Sequence, residues 1–557
     1  MKKYTAITIG PIYKTFKLTR STKSVWTASY LFSYLMRNII KKGIDNGIIN
    51  KNNIIVPYYD DNVLNGNSKL GVGLFPDRFI YEGDIKTDLL KIISDVIDDF
   101  VTKLCQDINC NGKPSPNDMQ EFFKKYFRII PIEADISDPK DVIFILSDLL
   151  DTAELQQNAL GDLAEYEKYF IEFLEKYNPN YNFLHQMEFG TRKFKSTAEI
   201  ATAEFEDESF YEDASKLIKR NKENDQEEYY KTIKEGAGDR FRNYQKYMVI
   251  VQADGDNFGD FIKELYTQKD AKKYLSQFSK NLWEFSSKAV EKINNYNGVP
   301  IYAGGDDLLF FAPVAHTKIN DEKNENVKII IEKTVFTLID EIDGLFKSYF
   351  TNYKNNEVDF ESLIEKLNKK PSMSYGLSIS YYKFPLNEAF ELGISELFEK
   401  AKKTYKKNAV SYSVLKHSGQ FFGTLFHKDE NSYKTFKKLM NDFARDDNFI
   451  RSIAQKLEPQ EHTILSIAME QDEDKRNALF DNFFENNFDE SVHLQRKANG
   501  KKELIPFLQH TKQLFKDVYS EKPVYQGANP EKANKSNLNK LYASLRFLEF
   551  INNKIER

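Results

Sequence analysis

Cysteine is nearly absent from this 557-residue chain, which holds only Cys105 and Cys110. Two thiols build neither a disulfide framework nor a four-cysteine zinc site, and no histidine lies within twenty residues of them to complete one. They read as plain structural residues of a reducing compartment. Apolar runs long enough to cross a membrane are also missing, and no stretch has the form of a signal peptide. A cytoplasmic chain without a membrane partner is therefore expected. Positive charge is not in excess either. A net charge of −5 excludes a chain that binds nucleic acid over its whole surface, and leaves RNA contact to local patches or partner subunits. What the chain does have is length for three or four domains and an aromatic content of 14%, enough to fill their cores.

Two acidic turns stand out. In Val299–Pro313 (VPIYAGGDDLLFFAP), runs of strand-forming residues flank Gly304-Gly305-Asp306-Asp307. Gly-Gly and Gly-Asp are ordinary hairpin residues, so a simple connector is one reading. Two adjacent carboxylates nevertheless repel each other unless a cation sits beside them. The second turn follows the apolar run Tyr247–Ala253 (YMVIVQA) and reads Asp254-Gly255-Asp256-Asn257-Phe258-Gly259-Asp260, with helical character in Phe261–Tyr266. A buried strand thus ends in a carboxylate and enters a helix whose free N–H groups suit an anion. If Asp254 lies beside the hairpin, it converges with Asp306 and Asp307 on one metal and phosphate site. Oxygen ligands of this kind suit Mg²⁺ or Mn²⁺, and two such ions could activate a hydroxyl and stabilise a leaving pyrophosphate. The Asp-x-Asp-Asn-x-Gly string also touches a Ca²⁺-loop pattern, but Leu265 stands where that loop needs glutamate, which rejects it.

The surrounding periodicities give an order. After the first strand come helical stretches to about Asn295, then the hairpin. Val335, Leu338, Ile339, Ile342, Leu345, Phe346 and Tyr349 follow at helical spacing, then the alternating Ser374–Tyr382, and a last helix from Pro385 to about Tyr405. That is βαββαβ, the ferredoxin-like order of palm domains. The expected organisation is α+β in four parts: a first α/β domain over 1–150, a helical and charged connecting domain over 151–246, a second domain of palm order over 247–420, and a C-terminal helical domain over 421–557. In the first part, Tyr4–Ile9 reads as a strand and Trp26–Ile40 as a helix with core aromatics. In the second, Asp151–Tyr177 reads as helical and acidic, and Ala203–Tyr247 as a solvated connector. The last part is expected to be helical throughout. Leu538, Leu541, Leu545, Leu548 and Ile551 give its final helix an apolar face, which either packs internally or docks on other subunits.

Four stretches resemble the large palm-containing subunit of type III-B CRISPR effector complexes, the Cmr family. They are Ile7–Leu35 (ITIGPIYKTFKLTRSTKSVWTASYLFSYL), Gly73–Phe79 (GLFPDRF), the two acidic turns, and Ser374–Gly419. The resemblance implies that 1–150 is a first palm, holding a nucleotide rather than metal, although Ser24 stands where the family more often has an acid. It implies that many relatives carry a cysteine-bound zinc in the connecting region, which this chain cannot. It implies docking of the C-terminal face along a filament of small subunits. Many relatives also begin with a nuclease domain marked by His-Asp; none of the seven histidines here precedes aspartate, so no such nuclease is expected.

By the same resemblance, the expected function is target-RNA-activated nucleotide transfer within an antiviral complex of Cmr-type subunits, guide RNA and target RNA. Asp254, Asp306 and Asp307 would be catalytic and metal-binding. Gly304, Gly305, Gly255, Asp256, Asn257, Phe258, Gly259 and Lys402 would bind nucleotide, with Lys402 reaching the triphosphate. The substrate is ATP, and the product is either cyclic oligoadenylate or, with S-adenosylmethionine as co-substrate, its conjugate with ATP. An inert scaffold that holds guide RNA and partner subunits is the reading from another class. A diguanylate cyclase or template-dependent polymerase fits the palm but not the other matched stretches.

Overall fold

The computed structural model describes residues 1–67, 69–108, 114–156, 159–176, 182–190, 192–218, 223–320, 328–441, 457–487, 504–521 and 530–552. Cys110 and Tyr177 lie outside them. Its architecture is α+β, with two ferredoxin-like sheets, the second as the sequence order implies and the first as the family resemblance implies.

The first sheet contains β1 (Lys2–Gly10), β2 (Ile54–Val56), β3 (Arg78–Glu82) and β4 (Arg128–Ile136), antiparallel in the order β2-β3-β1-β4. Strand periodicity divides β1 between two cores. Ile7 and Ile9 face the helices Thr22–Asp45 and Lys86–Asp107, whereas Tyr4 and Ala6 pack with Leu146 and Leu150 of the helix Val142–Glu154. The helix Thr22–Asp45 starts at Ser21, whose hydroxyl accepts from the Ser24 amide at 3.2 Å. An acid does reach this helix start from elsewhere: Glu175 accepts from the Ser21 hydroxyl at 3.0 Å and from the Arg20 amide at 2.6 Å.

The second sheet carries the two acidic turns. Its strands are β5 (Tyr247–Asp256), β6 (Val299–Gly304), β7 (Asp307–Pro313), then β10 (Ser372–Tyr381), β11 (Ala409–Leu415) and β12 (Phe421–His427), in the order β12-β11-β10-β5-β7-β6. A two-stranded ribbon of β8 (Ala315–Asn320) and β9 (Lys328–Thr334) intervenes, which sequence periodicity did not anticipate. Within the large sheet, β10-β5-β7-β6 is the ferredoxin-like core, crossed over by the helices Ala271–Asn295 and Val335–Tyr349. β5 lies between antiparallel neighbours on both sides and is buried along most of its length. The two sheets meet at β6: the Ala303 amide donates to the Gly73 carbonyl at 3.2 Å, and the Ser29 hydroxyl donates to the Ile301 carbonyl at 3.0 Å.

Three expectations need correction. The segment from 421 is not helical throughout, because β12 pairs antiparallel with β11 and widens the second sheet. The apolar stripe of the helix Pro530–Asn552 is not a free docking face. Leu541, Leu545, Leu548 and Ile551 are fully buried, and rings of this helix meet the second sheet and the helix Val335–Tyr349, with Phe547 on Tyr412 and Phe336 and Phe550 on Tyr247. The region 203–247 is not merely a solvated connector either. Its helices enclose a small core in which tyrosines replace aliphatic anchors: Phe205, Tyr211, Tyr229, Tyr230 and Ile233 pack together with Tyr382 from the second sheet.

Candidate active site

Strand geometry brings the acidic turns together. Ala253 is the last residue of β5 paired with β7, opposite Leu308, so Asp254 emerges where the β6–β7 hairpin closes. Gly304 pairs with Asp307, and Gly305 turns the chain at φ +71°, in the left-handed region that glycine adopts without strain. The Ser286 hydroxyl anchors this tip by donating to the Gly305 carbonyl at 2.6 Å. Gly255 is required for a different reason. A Cβ there would lie 2.3 Å from Oδ2 of Asp306 and 2.6 Å from the Phe258 ring, so the Asp306 carboxylate rests directly on the Gly255 backbone. The two loops therefore close on one another, Asp254 beside Asp306 and Asp307.

The electrostatics record this crowding. Burial, and then the neighbouring Asp254 charge, push the Asp306 carboxyl up to about 7. Burial and then Asp306 raise Asp307 well above the usual carboxylate range, although part of its side chain reaches solvent. Asp254 is raised by burial, against the opposing pull of Lys402. Lys402 follows a π turn, Ser395–Lys400, which is anchored by the fully buried Glu396 accepting from the hydroxyls of Ser411 and Ser413. Its ammonium lies 2.9 Å from Asp254 and 3.0 Å from Asp256, and also donates to the Gly255 carbonyl.

The residues expected to bind nucleotide divide sharply. Gly304, Gly305, Gly255 and Gly259 line or adjoin the turns, and nothing lies within 4 Å of the space where a Gly259 side chain would be. Asn257 takes a left-handed conformation at φ +62° before the helix Phe258–Tyr266 and donates to the Lys370 carbonyl at 3.1 Å. Asp256 is not available to a ligand. It is fully buried, and its Oδ2 accepts from the hydroxyls of Ser372 at 2.9 Å and Ser374 at 2.8 Å and from the Asn408 amide at 3.0 Å. Phe258 likewise turns inward, its ring packing on Phe278, Phe346 and Phe350. Lys402, expected to meet a triphosphate, is engaged by the two carboxylates.

The donor set suits a divalent cation. Among the described residues no three His, Cys, Asp or Glu side chains already enclose an ion, since Asp254 is turned to Lys402. A hard cation of this class needs only one or two carboxylates plus substrate phosphates, however, and the Lys402 ammonium alone does not offset three acids that raise one another. Two further residues were not singled out. Asp77 lies in the GLFPDRF segment, and Gln252 is a polar residue inside the otherwise apolar run YMVIVQA. Both face a cavity beside Asp307, and the available signals were the lone polar Gln252 in YMVIVQA and the Asp77-Arg78 pair in GLFPDRF.

The model of the Cas10/Cmr2 second palm domain matches residues 247–411, which contain Asp254, Asp306, Asp307 and Lys402, and the model of the CRISPR-associated protein Cmr2 N-terminal domain matches residues 4–106. The chain carries two domains of the Cas10/Cmr2 family. A curated Cmr2 relative, the CRISPR system Cmr subunit Cmr2 of Pyrococcus furiosus, is 27% identical over 236 residues, which are 38% of this chain and 23% of that protein. The matched stretch thus spans about a quarter of the curated Cmr2 relative. Among solved structures, the type III-B Cmr-beta complex in its apo state has a chain that superposes with a TM-score of 0.56 at 10% identity, covering 97% of this chain and 82% of that one. The type III-B Cmr-beta complex bound to cognate target RNA gives 0.53 at 11% identity, covering 98% and 83%. At these identities the likeness is one of fold. No helix among the described residues is long and apolar enough to cross a membrane.

Proposed function

We propose that this chain is the nucleotidyltransferase subunit of a type III CRISPR effector complex, activated by target RNA and using ATP. The observation that carries the reading is the closure of two loops on each other, with Asp306 seated on Gly255 beside Asp254. The two domains of the family, and the likeness in fold to a complex holding target RNA, support guide RNA, target RNA and Cmr-type subunits as partners. Bound at Asp254, Asp306 and Asp307, Mg²⁺ or Mn²⁺ would supply charge neutralisation at the phosphates.

The protein's own residues do the rest by positioning. The open start of the helix Phe258–Tyr266, at Gly259, offers N–H groups to a phosphate. Gly305 and Gly255 let backbone and nucleotide approach closely. In the reaction an acceptor hydroxyl oxygen bonds to the α-phosphorus of ATP, the bond from that phosphorus to the bridging oxygen breaks, and pyrophosphate leaves. The hydroxyl proton passes to solvent, which reaches the site at the exposed Asp307. Alignment and charge neutralisation supply most of the acceleration in such transfers. Lys402 leaves its carboxylates for phosphate as substrate enters.

The test is labelled ATP given to the assembled complex with matching RNA, with and without S-adenosylmethionine. Product formed without it denotes oligoadenylate, product requiring it denotes the conjugate, and label remaining wholly in ATP denotes a scaffold. The Asp306→Ala, Asp307→Ala double variant is expected to assemble normally and to form neither product.

A further inference from the structure

Two consecutive residues without the freedom of glycine, Lys407 and Asn408, take left-handed conformations at φ +51° and +48°. Residues that carry a side chain rarely adopt that region singly, and a consecutive pair persists only where its surroundings over-determine it. The pair joins the turn Ala401–Lys403, which carries Lys402, to strand β11. Asn408 is also the residue whose amide donates to Asp256 at 3.0 Å, and Asp256 in turn holds the Lys402 ammonium at 3.0 Å. Whatever fixes the pair therefore fixes the cation that faces Asp254.

Two bonds from the end of strand β12 do so. The Lys428 amide donates to the Asn408 carbonyl at 2.9 Å, and Nδ1 of His427 lies 2.9 Å from the Lys407 carbonyl. A carbonyl only accepts, so Nδ1 carries the hydrogen, and Nε2 is the bare acceptor of a neutral ring. His427 is fully buried, and among the described residues its Nε2 has no hydrogen-bond partner. The Tyr405 hydroxyl is equally without one, and the Tyr405 ring stands edge-on to the imidazole at a centroid distance of 5.8 Å. An apolar side chain would fill this place without stranding a buried nitrogen. What the imidazole adds is its one bond, to Lys407.

We propose that His427 is a positioning residue of the candidate site. Through the Lys407 carbonyl it holds the left-handed pair, which presents the Asn408 amide to Asp256 and so keeps Lys402 placed for the triphosphate. The inference rests on the nucleotidyltransferase reading for what is positioned, whereas the tether itself stands on the geometry of strand β12 and the pair. Sheet register sets that tether, because Ala409, next to the pair, lies opposite His427. His427 falls outside residues 247–411, which match the second palm domain, so the tether brings a strand beyond that match into the working of the site.

The test is calorimetric titration of the chain with a non-hydrolysable ATP analogue at saturating Mn²⁺, together with amide hydrogen exchange over Thr404–Ala409. His427→Ala should weaken analogue binding at least about fivefold and speed exchange of this segment at least about tenfold. His427→Asn, whose amide nitrogen can take the place of Nδ1, should stay within about twofold of wild type in both readouts. His427→Gln puts its amide at the Nε2 end and should behave like His427→Ala. Glycine adopts the left-handed region without strain, so adding Lys407→Gly and Asn408→Gly to His427→Ala should restore analogue affinity to within about twofold. A histidine that merely supports the fold would not be rescued in this way. Unchanged affinity and exchange in His427→Ala overturn the proposal, as do equal effects of asparagine and glutamine, or a glycine pair that rescues nothing. If His427→Ala does not fold, His427→Asn decides: it keeps the bond, and its failure to fold or to bind the analogue overturns the proposal. Wild type that binds no analogue refutes the nucleotidyltransferase reading, and exchange alone then judges the tether. Wild type that binds the analogue with an affinity indifferent to His427→Ala refutes the positioning role and leaves the nucleotidyltransferase standing.

Discussion

Asp256 belongs to the scaffold of the acidic turn, and Asp256→Ala measures that role. The wild-type carboxylate is fully buried and meets four donors, from Ser372, Ser374, Asn408 and Lys402, at 2.8–3.0 Å. Removing it leaves two hydroxyls and an amide to find new acceptors, at about 1–3 kcal/mol for each that fails. It also strips Lys402 of one of two carboxylates. Breaking one side of a buried ion pair costs about 3–5 kcal/mol, and the terms share partners, so the total stays near that figure rather than their sum. With a urea slope of roughly 2 kcal/mol per M, the unfolding midpoint should fall by about 2 M. Trp26 and Trp283 are the only tryptophans, so Trp283 fluorescence in a Trp26→Phe background follows the second sheet. Asp256→Asn, which keeps shape and part of the hydrogen bonding, should lie between. An Asp256→Ala protein with an unchanged midpoint but lost ATP turnover would refute the reasoning, and would return Asp256 to the ligand-binding residues.

Two further outcomes follow from the same geometry. Gly255→Val should displace the Asp306 carboxylate, because even a Cβ would lie 2.3 Å from its oxygen; ATP turnover is expected to drop at least about a hundredfold while the complex still assembles. Divalent-cation affinity should depend on pH with a definite sign: since Asp306 is held up to about 7, protons compete below that value, and Mn²⁺ affinity should rise from about pH 6 to pH 8 and then level. Asp306→Asn should flatten that profile, measured by the electron paramagnetic resonance signal of free Mn²⁺.

Local signals carried the site's outline and long-range ones its details. An apolar run ending in glycine and aspartate marked both turns, and the order βαββαβ allowed them neighbouring strands, but the meeting of Asp254 with Asp306 and Asp307 stayed conditional in the spacing and was implied by the family resemblance. The donors that occupy Asp256 come from Ser372, Ser374 and Asn408, more than a hundred positions away, and nothing near Asp256 announces them. Phe258 read as a turn residue for the same reason, its ring environment being supplied by Phe278, Phe346 and Phe350. Periodicity in Leu538–Ile551 revealed an apolar face but not that this helix packs on the second sheet. Strand β11 joins β10 in parallel, a pairing that no turn between them encodes.

The shared cation site is tested most directly by Mn²⁺ titration in the presence of a non-hydrolysable ATP analogue, comparing wild type with Asp254→Asn and Asp306→Asn singly. Each substitution, on a separate loop, is expected to weaken Mn²⁺ binding at least about tenfold. Wild-type affinity in Asp254→Asn would contradict the account, because the two loops would then not hold the ion together.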